Sequence, residues 1–406
     1  FIGTRKLRHI ATHKRRIFAG RTTEVDGMTP LQRLLAALGA PAPNTMSEFS
    51  LHADATDAQT ALFALLEAAQ TSVDIEMYIL AYDAVGRRFI KHLAACAARG
   101  VRVRLLLDGV GSFPLKREHL QAVTNVGGKL AWFVPVLHVP LRGRTNLRNH
   151  RKFVVVDGQR VWAGGRNIAA DYLQPETESR WIDFSYTMAG PVAMDFQAVF
   201  EADWGFATGE TNNGTESHPG APGAEAALHQ VQLIPSGPDM QEDVLPNAMG
   251  ELIAGARERL TLVTPYFVPS ETLQNLLCIA ARRGTRIDIV LPLRSNHWIA
   301  DFVRNRFLRE LHAAGAGIHV LPEAMLHAKV LTVDRHSAFV GSANFDQRSL
   351  YLNFELMNLL STQRDVEAVS KWVDTLMART QPWSEGRHGV VRETLEGLLT
   401  ITTFQL

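Results

Sequence analysis

The sequence predicts an α/β protein made of two similar halves, each with a mixed β-sheet covered by helices. Helix-like runs alternate with apolar, β-rich runs along most of the 406 residues. The order of these runs in 62–112 recurs in 251–295, and a strand-like motif at 149–167 recurs at 326–344. Such alternation is typical of sheets with helices on their faces. We therefore expect two pseudo-symmetric α/β/α sandwich domains, with any shared site at the interface between them.

The chain opens on a basic segment, FIGTRKLRHIATHKRRIFAGR, within residues 1–45. It starts at Phe1 instead of Met, and seven Lys and Arg residues lie in its first 21 positions. One interpretation is a solvated basic arm. The other is a juxtamembrane segment whose hydrophobic anchor precedes residue 1, because basic residues collect beside such anchors and are attracted to anionic lipid.

Composition sets the predicted domain boundaries. We expect a first domain over residues 46–207 and a second over residues 225–406. Residues 208–224 are rich in Gly, Pro, Ser, Thr and Asn, which is typical of a surface linker. Gly100 and Gly284 each follow an Ala- and Arg-rich run, where a left-handed residue ends a helix well.

The bulk composition excludes several classes of protein. With 46% hydrophobic and 20% charged residues the chain resembles a soluble globular protein, and a net charge of +1 creates no field that would attract nucleic acid. No stretch reaches the roughly 18 apolar residues that span a bilayer. Cys96 and Cys278 lie in apolar runs, so we expect buried thiols and neither a disulfide framework nor a zinc site.

A duplicated motif is the main functional signal. NHRKFVVVDG at 149–158 corresponds to LHAKVLTVDR at 326–335, and each residue has its counterpart 177 positions later. A lone His-x-Lys is usually an ordinary surface feature. Two copies at a fixed offset, each followed by Gly-x-x-Asn ending at Asn167 or Asn344, favour a reaction centre instead.

Strand alternation separates the residues within each motif. It places His150 and Lys152 on one side of a strand and Asp157 on the other. We therefore expect Asp157 to orient or brace the structure, and Arg151, which points away from the pair, to be surface decoration. The second copy repeats this arrangement with His327, Lys329 and Asp334.

Two imidazoles and two ammonium groups suit a phosphodiester centre. Ammonium groups and neutral amides stabilise the non-bridging phosphoryl oxygens, so no metal ion is required. One imidazole attacks phosphorus while the other donates a proton to the leaving oxygen and later deprotonates the acceptor. The near symmetry of the two copies leaves open which His attacks. The candidate phosphate-binding residues are Lys152, Lys329, Asn167 and Asn344.

Two carboxylates are candidates for orienting the imidazoles. Asp183 follows His150 by 33 positions, and Glu355 follows His327 by 28 positions. Both lie in apolar, β-like runs, where a buried acidic residue needs a partner. A hydrogen bond from an imidazole Nδ1–H would supply that partner and fix the ring.

These motifs carry a family resemblance. HRKFVVVD and HAKVLTVD match the H-x-K-x4-D motif of the phospholipase D superfamily, and the likeness extends from about Leu51 to Met377. Together with TPYFVPSETL and GSANFDQRSLYLNFE, they resemble the bacterial cardiolipin synthase branch. The resemblance implies two phospholipase D-like domains with the active site between them. It also implies transfer of a phosphatidyl group between two phosphatidylglycerol molecules, with release of glycerol, through a phosphohistidine and without cofactor or metal.

The resemblance also implies residue roles. His150 would be the nucleophile and His327 the general acid and base. The implied catalytic set comprises His150, Lys152, Asp157, His327, Lys329, Asp334, Asp183 and Glu355. The sequence departs from the branch at Arg166, where AGGRN replaces the common TGGMN, and at Ile182, where an Arg is expected after Trp181. Both departures lie where headgroup choice could be affected.

Alternative functions remain at this level. The superfamily includes hydrolases, phosphodiesterases and nucleases, and an inactive relative could serve as a membrane-binding scaffold. A lipid substrate is favoured by HWIADFVRNRFLREL at 297–311, read either as an interfacial helix or as a core-facing amphipathic helix. The surplus segment at 133–148 is either a lip for lipid entry or a surface loop. A lipid enzyme of this branch would work at the inner membrane of a bacterium, with its catalytic domain on the cytoplasmic side and no nucleic-acid partner.

Overall fold

The structure is a computed structural model. It describes residues 17, 27–134, 147–174, 181–210, 229–238, 240, 242–384, 389 and 395–399. Nearly all of the basic N-terminal stretch, the linker beyond residue 210 and residues 135–146 of the surplus segment lie outside the described residues. The alternatives stated for those segments therefore stay open.

The first half forms a seven-stranded mixed sheet in the order β2-β9-β7-β6-β3-β4-β5, in which β3, β4 and β5 run parallel. Its described elements are α1 (Pro30–Ala37), β1 (Asn44–Met46), β2 (Glu48–His52), α2 (Ala55–Ala68), β3 (Ser72–Met77), α3 (Ala84–Ala98), β4 (Arg102–Asp108), a 3-10 turn (Arg117–Leu120), α4 (Gln121–Thr124), β5 (Lys129–Phe133), β6 (Phe153–Val156), β7 (Arg160–Gly164), α5 (Ala170–Leu173), β8 (Trp181–Ile182), β9 (Ser185–Ala189) and α6 (Val192–Thr208).

The second half forms a nine-stranded sheet in the order β1-β10-β19-β17-β16-β11-β13-β14-β20. Its described elements are β10 (His229–Ser236), α7 (Val244–Gly255), β11 (Arg259–Val263), β12 (Phe267–Val268), α8 (Glu271–Arg282), β13 (Arg286–Pro292), α9 (Trp298–Ala313), β14 (Gly317–Leu321), β15 (Met325–Leu326), β16 (Val330–Val333), β17 (Ser337–Gly341), β18 (Phe345–Asp346), α10 (Gln347–Tyr351), β19 (Glu355–Leu360), α11 (Gln363–Met377) and β20 (Gln381–Pro382).

The two sheets share one strand plan. The order β9-β7-β6-β3-β4-β5 in the first sheet matches β19-β17-β16-β11-β13-β14 in the second, with three parallel strands at the end of each series. The predicted helix ends are also present, since Gly100 and Gly284 follow α3 and α8 with φ of +87° and +99°. The predicted duplicated α/β fold with mixed sheets is confirmed.

Three buried apolar clusters hold these layers together. One lies outside the first sheet, under α2 and α3, and one outside the second, under α7, α8 and α9. The third lies between the sheets and combines Phe196 of α6 and Val369 of α11 with strand residues Val155 and Val330. Since that cluster draws on both halves, burial of apolar surface stabilises their association directly. Cys96 and Cys278 are buried free thiols, as expected.

The beginning of the described chain differs from the predicted boundary at residue 46. Strand β1 pairs antiparallel with β10, with Thr45 opposite Gln230, so it extends the sheet of the second half. Helix α1 begins with a capping box at Thr29 and buries Leu35 in the outer cluster of that half. The reason is that β10 would otherwise expose an unpaired edge, which β1 covers.

The segment HWIADFVRNRFLREL forms α9, whose apolar side faces the core. Val303, Leu308 and Leu311 are fully buried. This agrees with the core-facing amphipathic helix, the second of the two interpretations given for this segment. Trp298 at its first position is the exception, with 72% of its surface exposed. Of the helices in the described ranges, none combines the length and apolar character needed to cross a bilayer.

Candidate active site

Both motifs arrive at equivalent edges of their sheets. Strand β6 runs antiparallel to β3, with Phe153 opposite Glu76, so the residues before Phe153 lie beyond the carboxyl end of β3. Strand β16 runs antiparallel to β11, with Val330 opposite Val263, which places the second motif in the same way. The duplicated strand plan therefore brings both His-x-Lys pairs to the interface.

Backbone pairing between the halves fixes the motifs against each other. The His150 N–H donates to the Phe354 carbonyl at 2.9 Å, and the Phe354 N–H donates to the Arg148 carbonyl at 2.9 Å. In the mirrored arrangement β15 pairs parallel with β8, and the His327 N–H donates to the Ile182 carbonyl at 2.7 Å. Each motif therefore lies beside the carboxylate-bearing strand of the other half.

The two imidazoles are held by carboxylates across the interface. His150 Nδ1 lies 3.0 Å from both carboxylate oxygens of Glu355, and His327 Nδ1 lies 2.8 Å from Asp183 Oδ2. All four side chains are buried. Sequence spacing counts each carboxylate from the His of its own half, but the structure exchanges the partners, so neither half can complete a His–carboxylate pair alone.

Burial controls the protonation of both imidazoles. Loss of hydration lowers the pKa of His150 to about 4 and that of His327 to about 3, although the partner carboxylates act in the opposite direction. Both rings are therefore neutral near pH 7, with Nδ1–H donating to the carboxylate and the Nε2 lone pair directed away from it. A neutral Nε2 is the form that attacks phosphorus.

The two lysines add positive charge beside the rings. Lys152 Nζ donates to the His150 carbonyl at 2.5 Å, and Lys329 Nζ lies 3.1 Å from His327 Nε2. Burial lowers the pKa of Lys152 to about 7 and that of Lys329 to about 8. An arriving phosphodiester anion would stabilise both ammonium groups, so substrate binding and the charge of the lysines reinforce each other.

The two candidate asparagines lie at the same edge. Asn167 follows β7 and Asn344 follows β17, the strands that run back alongside β6 and β16 towards the motifs. Asn167 Oδ1 accepts the Ile79 N–H at 3.1 Å, which leaves its amide N–H groups as donors. Among the described residues no donor reaches Asn344 Oδ1, although this side chain is buried. An amide oxygen only accepts hydrogen bonds, so this atom is available to a substrate hydroxyl and not to a phosphoryl oxygen.

The two motif aspartates lie elsewhere. Asp157 and Asp334 follow the far ends of β6 and β16, with φ of +54° and +50°. The Asp157 carboxylate accepts backbone N–H groups of residues 70–72 at 2.7 to 3.0 Å, and Asp334 accepts those of residues 257–259 at 2.7 to 2.8 Å. They brace the loops that precede β3 and β11, which corrects their inclusion among the catalytic residues.

Arg151 is a buried link between the halves, so its interpretation as surface decoration is wrong. Its side chain is fully buried and forms an ion pair with Asp203 of α6. Its Nε donates to the Glu355 carbonyl at 3.1 Å, and Nη2 donates to the Ser236 carbonyl at 3.1 Å. Alternation misplaced this side chain because residues 149–152 enter the interface, where both sides of the chain are covered.

The Gly-x-x-Asn stretches make room for the carboxylates. In the second half, the Ser342 hydroxyl donates to Glu355 Oε2 at 2.6 Å. Its counterpart is Gly165, where an added Cβ would lie 2.2 Å from Asp183 Oδ1. The neighbouring Arg166 is buried and donates to the carbonyl of Asp183 at 2.5 Å. Arg166, at which the sequence departs from the cardiolipin synthase branch, therefore helps to hold the backbone of Asp183 in place.

Substitution of Gly165 tests the fit around Asp183. We expect Gly165→Ala to displace the Asp183 carboxylate from His327 and to lower kcat by about 100-fold, since displacements near 1 Å have effects of this size. The control is Gly255→Ala, because nothing lies within 4 Å of a Cβ at Gly255. Steady-state turnover of both purified variants checks this. Equal rates for the two would contradict the close approach.

Aromatic side chains line the imidazoles, and sequence reasoning missed them. The Tyr78 ring lies edge-on to His150 with centroids 4.8 Å apart, and burial raises the pKa of its hydroxyl. Tyr172 lies edge-on to His327 at 5.2 Å, and Trp181 lies 5.2 Å from the same ring. Single aromatics in apolar runs usually indicate core packing. The available signal was Tyr78 and Tyr266 following equivalent strands in EMYIL and TPYFV.

Comparison with known proteins agrees with this geometry. The family described as cardiolipin synthase, PLD-like domain, matches residues 62–204 and 249–377, so each half carries one match. A cardiolipin synthase of Geobacillus kaustophilus (strain HTA426) is 32% identical over 328 residues. The match covers 80% of this chain but only 65% of that relative. Cardiolipin synthase A of Edwardsiella ictaluri (strain 93-146) is 32% identical over 89% of this chain and 77% of the relative.

A solved structure shares the fold. The phosphatidylserine synthase of Haemophilus influenzae Rd KW20 superposes with a TM-score of 0.70 over 90% of this chain and 97% of that one, at 14% identity. The similarity in fold and the two family matches confirm the resemblance drawn from the twin motifs. The chain belongs to the cardiolipin synthase family of phospholipase D-like proteins.

Proposed function

We propose that this protein is a phosphatidyltransferase that condenses two phosphatidylglycerol molecules to cardiolipin and glycerol. The observation that carries the proposal is the buried cluster of two neutral imidazoles, each held by a carboxylate of the other half, with an ammonium group beside each ring. Nucleophile, proton carrier and charge stabilisation for a phosphodiester are then present in one place.

The first step transfers the phosphatidyl group to the enzyme. His150 Nε2 attacks the phosphorus of the donor, and a P–N bond forms as the P–O bond to the headgroup glycerol breaks. His327 takes up a proton at Nε2 when the anionic phosphodiester binds beside it, and the resulting imidazolium gives that proton to the leaving glycerol oxygen. Each lysine ammonium donates to the carbonyl of the His two residues before it, so the contacts of the two pairs are alike, and the assignment of His150 as the nucleophile rests on the family resemblance.

The second step transfers the group to the acceptor. His327 takes the proton from a headgroup hydroxyl of a second phosphatidylglycerol, and that oxygen attacks phosphorus. The P–N bond breaks, cardiolipin leaves, and both imidazoles return to their initial state. The negative phosphodiester adds to the effect of Asp183 in favouring the protonated form of His327, which offsets the effect of burial on its pKa.

Lysines and asparagines hold the phosphoryl oxygens throughout. Lys152 and Lys329 supply charge, and Asn167 and Asn344 supply neutral N–H donors. No step in this scheme uses a metal ion.

Lipid mass spectrometry gives the direct test. We expect the purified full chain in detergent with phosphatidylglycerol to produce cardiolipin and glycerol in a 1:1 ratio, and the rate to be unchanged by EDTA. Phosphatidic acid as the main lipid product would indicate a hydrolase instead. A phosphodiesterase or nuclease would leave phosphatidylglycerol intact and cleave a nucleotide diester, and an inactive scaffold would do neither.

We also propose a cellular location for the enzyme. Phosphatidylglycerol resides in bilayers, so the enzyme would act at the inner membrane of a bacterium with its catalytic domains on the cytoplasmic side. Support comes from the basic residues near the N-terminus, which suit an anionic surface. Fractionation of cells that express the full protein tests this, with recovery in the membrane fraction as the expected result.

A further inference from the structure

The loops that follow β4 and β13 occupy equivalent positions in the two halves. Each begins at the carboxyl end of a strand beside β3 or β11, the edge at which the motifs meet. The Ser112 hydroxyl donates to the Tyr78 carbonyl at 3.0 Å, and the Tyr78 ring lies against His150. In the other half, the Tyr266 hydroxyl donates to Asn296 Oδ1 at 2.6 Å. Both loops therefore border the active-site edge.

A large apolar side chain is exposed to solvent on the first loop, and another at the end of the second loop, where α9 begins. Phe113 is 67% exposed and Trp298 is 72% exposed, the highest values among large apolar residues in the part of the chain that the structure describes. Phe113 follows Ser112 directly, and Trp298 lies two residues after Asn296. Val110 and Leu293 on the same loops are 44% and 41% exposed. Each half therefore exposes an aromatic and an aliphatic side chain beside the active-site edge, and grouped exposed apolar residues mark an interaction surface, whereas single ones are ordinary.

Basic side chains accompany the aromatics on both loops. Lys116 and Arg117 are exposed beside Phe113, and Arg294 is exposed before Trp298. Glu118 offsets Lys116 in part, with their charged atoms 3.6 Å apart. Aromatic rings and cations close together suit the interface of an anionic bilayer, where rings lie at headgroup depth and cations meet lipid phosphates.

We propose that Phe113 and Trp298 form a membrane-docking edge that seats the active site on an anionic bilayer. The proposal deepens the proposed function and rests on it, because a phosphatidylglycerol phosphodiester lies at headgroup depth. Docking at two points, one in each half, would present the interface between the domains to that depth. A lipid could then reach His150 and His327 without leaving the bilayer completely.

Vesicle binding tests the edge without requiring chemistry. The probe is sedimentation of the full chain with phosphatidylglycerol-containing vesicles, compared with pure phosphatidylcholine vesicles. We expect Phe113→Ala with Trp298→Ala to lower the partition coefficient on anionic vesicles by about tenfold or more, given the apolar area that each ring would bury. The matched control is Ile279→Ala on α8, which is 56% exposed and lies near the helix end that leads to the opposite edge of β13.

Turnover completes the test. The double variant should lose rate on vesicles but keep the wild-type rate on dihexanoyl phosphatidylglycerol dispersed as monomers. Binding within twofold of the Ile279→Ala control would overturn the proposal, as would equal binding to neutral vesicles or equal loss of rate on monomers and vesicles. If wild-type protein binds vesicles through this edge but makes no cardiolipin, the proposed function fails while the docking edge stands.

Discussion

His150→Ala and His327→Ala are each expected to lower kcat for cardiolipin formation by about 10⁴-fold or more, because each step uses both imidazoles. The nucleophile and the proton carrier act as one unit, so the double variant should be little worse than either single variant. Initial rates on phosphatidylglycerol, measured with circular dichroism to verify folding, check this expectation.

A control separates catalysis from the general effect of losing a paired His. His319 lies on β14, three strands away from β16 in the second sheet, and its Nε2 is 3.0 Å from Asp288 Oδ1. His319→Ala should keep most of the activity. Substantial turnover in either motif variant would require a mechanism with a single imidazole, and an unchanged biological role in His150→Ala cells would indicate the scaffold.

Arg151→Met is expected to lower the free energy of unfolding by about 3–5 kcal/mol, because it leaves a buried carboxylate unpaired. Asp203 and Glu76 are fully buried side by side, and burial together with Asp203 already raises the pKa of Glu76 well above its usual range. Removal of the guanidinium also removes the hydrogen bond to the Glu355 carbonyl, so His150 should lose its alignment. Urea unfolding followed by tryptophan fluorescence measures the change.

Two further variants make this prediction specific. Arg335→Met removes an exposed guanidinium whose nearest contact with Asp374 is 4.0 Å, and it should shift the free energy by no more than about 0.5 kcal/mol. Adding Asp203→Asn to Arg151→Met should recover part of the lost stability, since the unpaired charge disappears with it. A small effect of Arg151→Met, similar to that of Arg335→Met, would refute the role of Arg151 as a buried link.

The sequence is sufficient to predict the duplicated fold and the His, Lys and carboxylate residues that meet between the halves, but not the aromatic side chains that line the imidazoles. Three signals can be read from this single sequence without an alignment. They are the alternating helix-like and strand-like runs, the matching glycines Gly100 and Gly284, and the motif repeated at a constant offset. The exchange of carboxylate partners could not be predicted, because the pairing of β8 with β15 joins segments 144 positions apart along the chain. Spacing within a half carries no information on such tertiary contacts.

The errors have physical causes as well. Alternation predicts an exposed Arg151 because it describes a strand with one solvent-exposed face, whereas the segment at 149–152 is buried on both faces. Strand β1 belongs to the second sheet because it pairs with the otherwise open edge of β10. Composition alone indicates only a basic segment over residues 1–45. The motif groups Asp157 with the catalytic residues, whereas in the structure its carboxylate accepts hydrogen bonds from three backbone N–H groups.

Detection of the covalent intermediate is the sharpest test of phosphatidyl transfer through His150. The full chain is mixed with phosphatidylglycerol, quenched within milliseconds in neutral denaturant to preserve the acid-labile P–N bond, digested, and measured by peptide mass spectrometry. The account predicts a phosphatidyl group on the peptide that contains His150, absent from His150→Ala. A sample that makes cardiolipin yet carries the group only on His327, or on neither His, would contradict it.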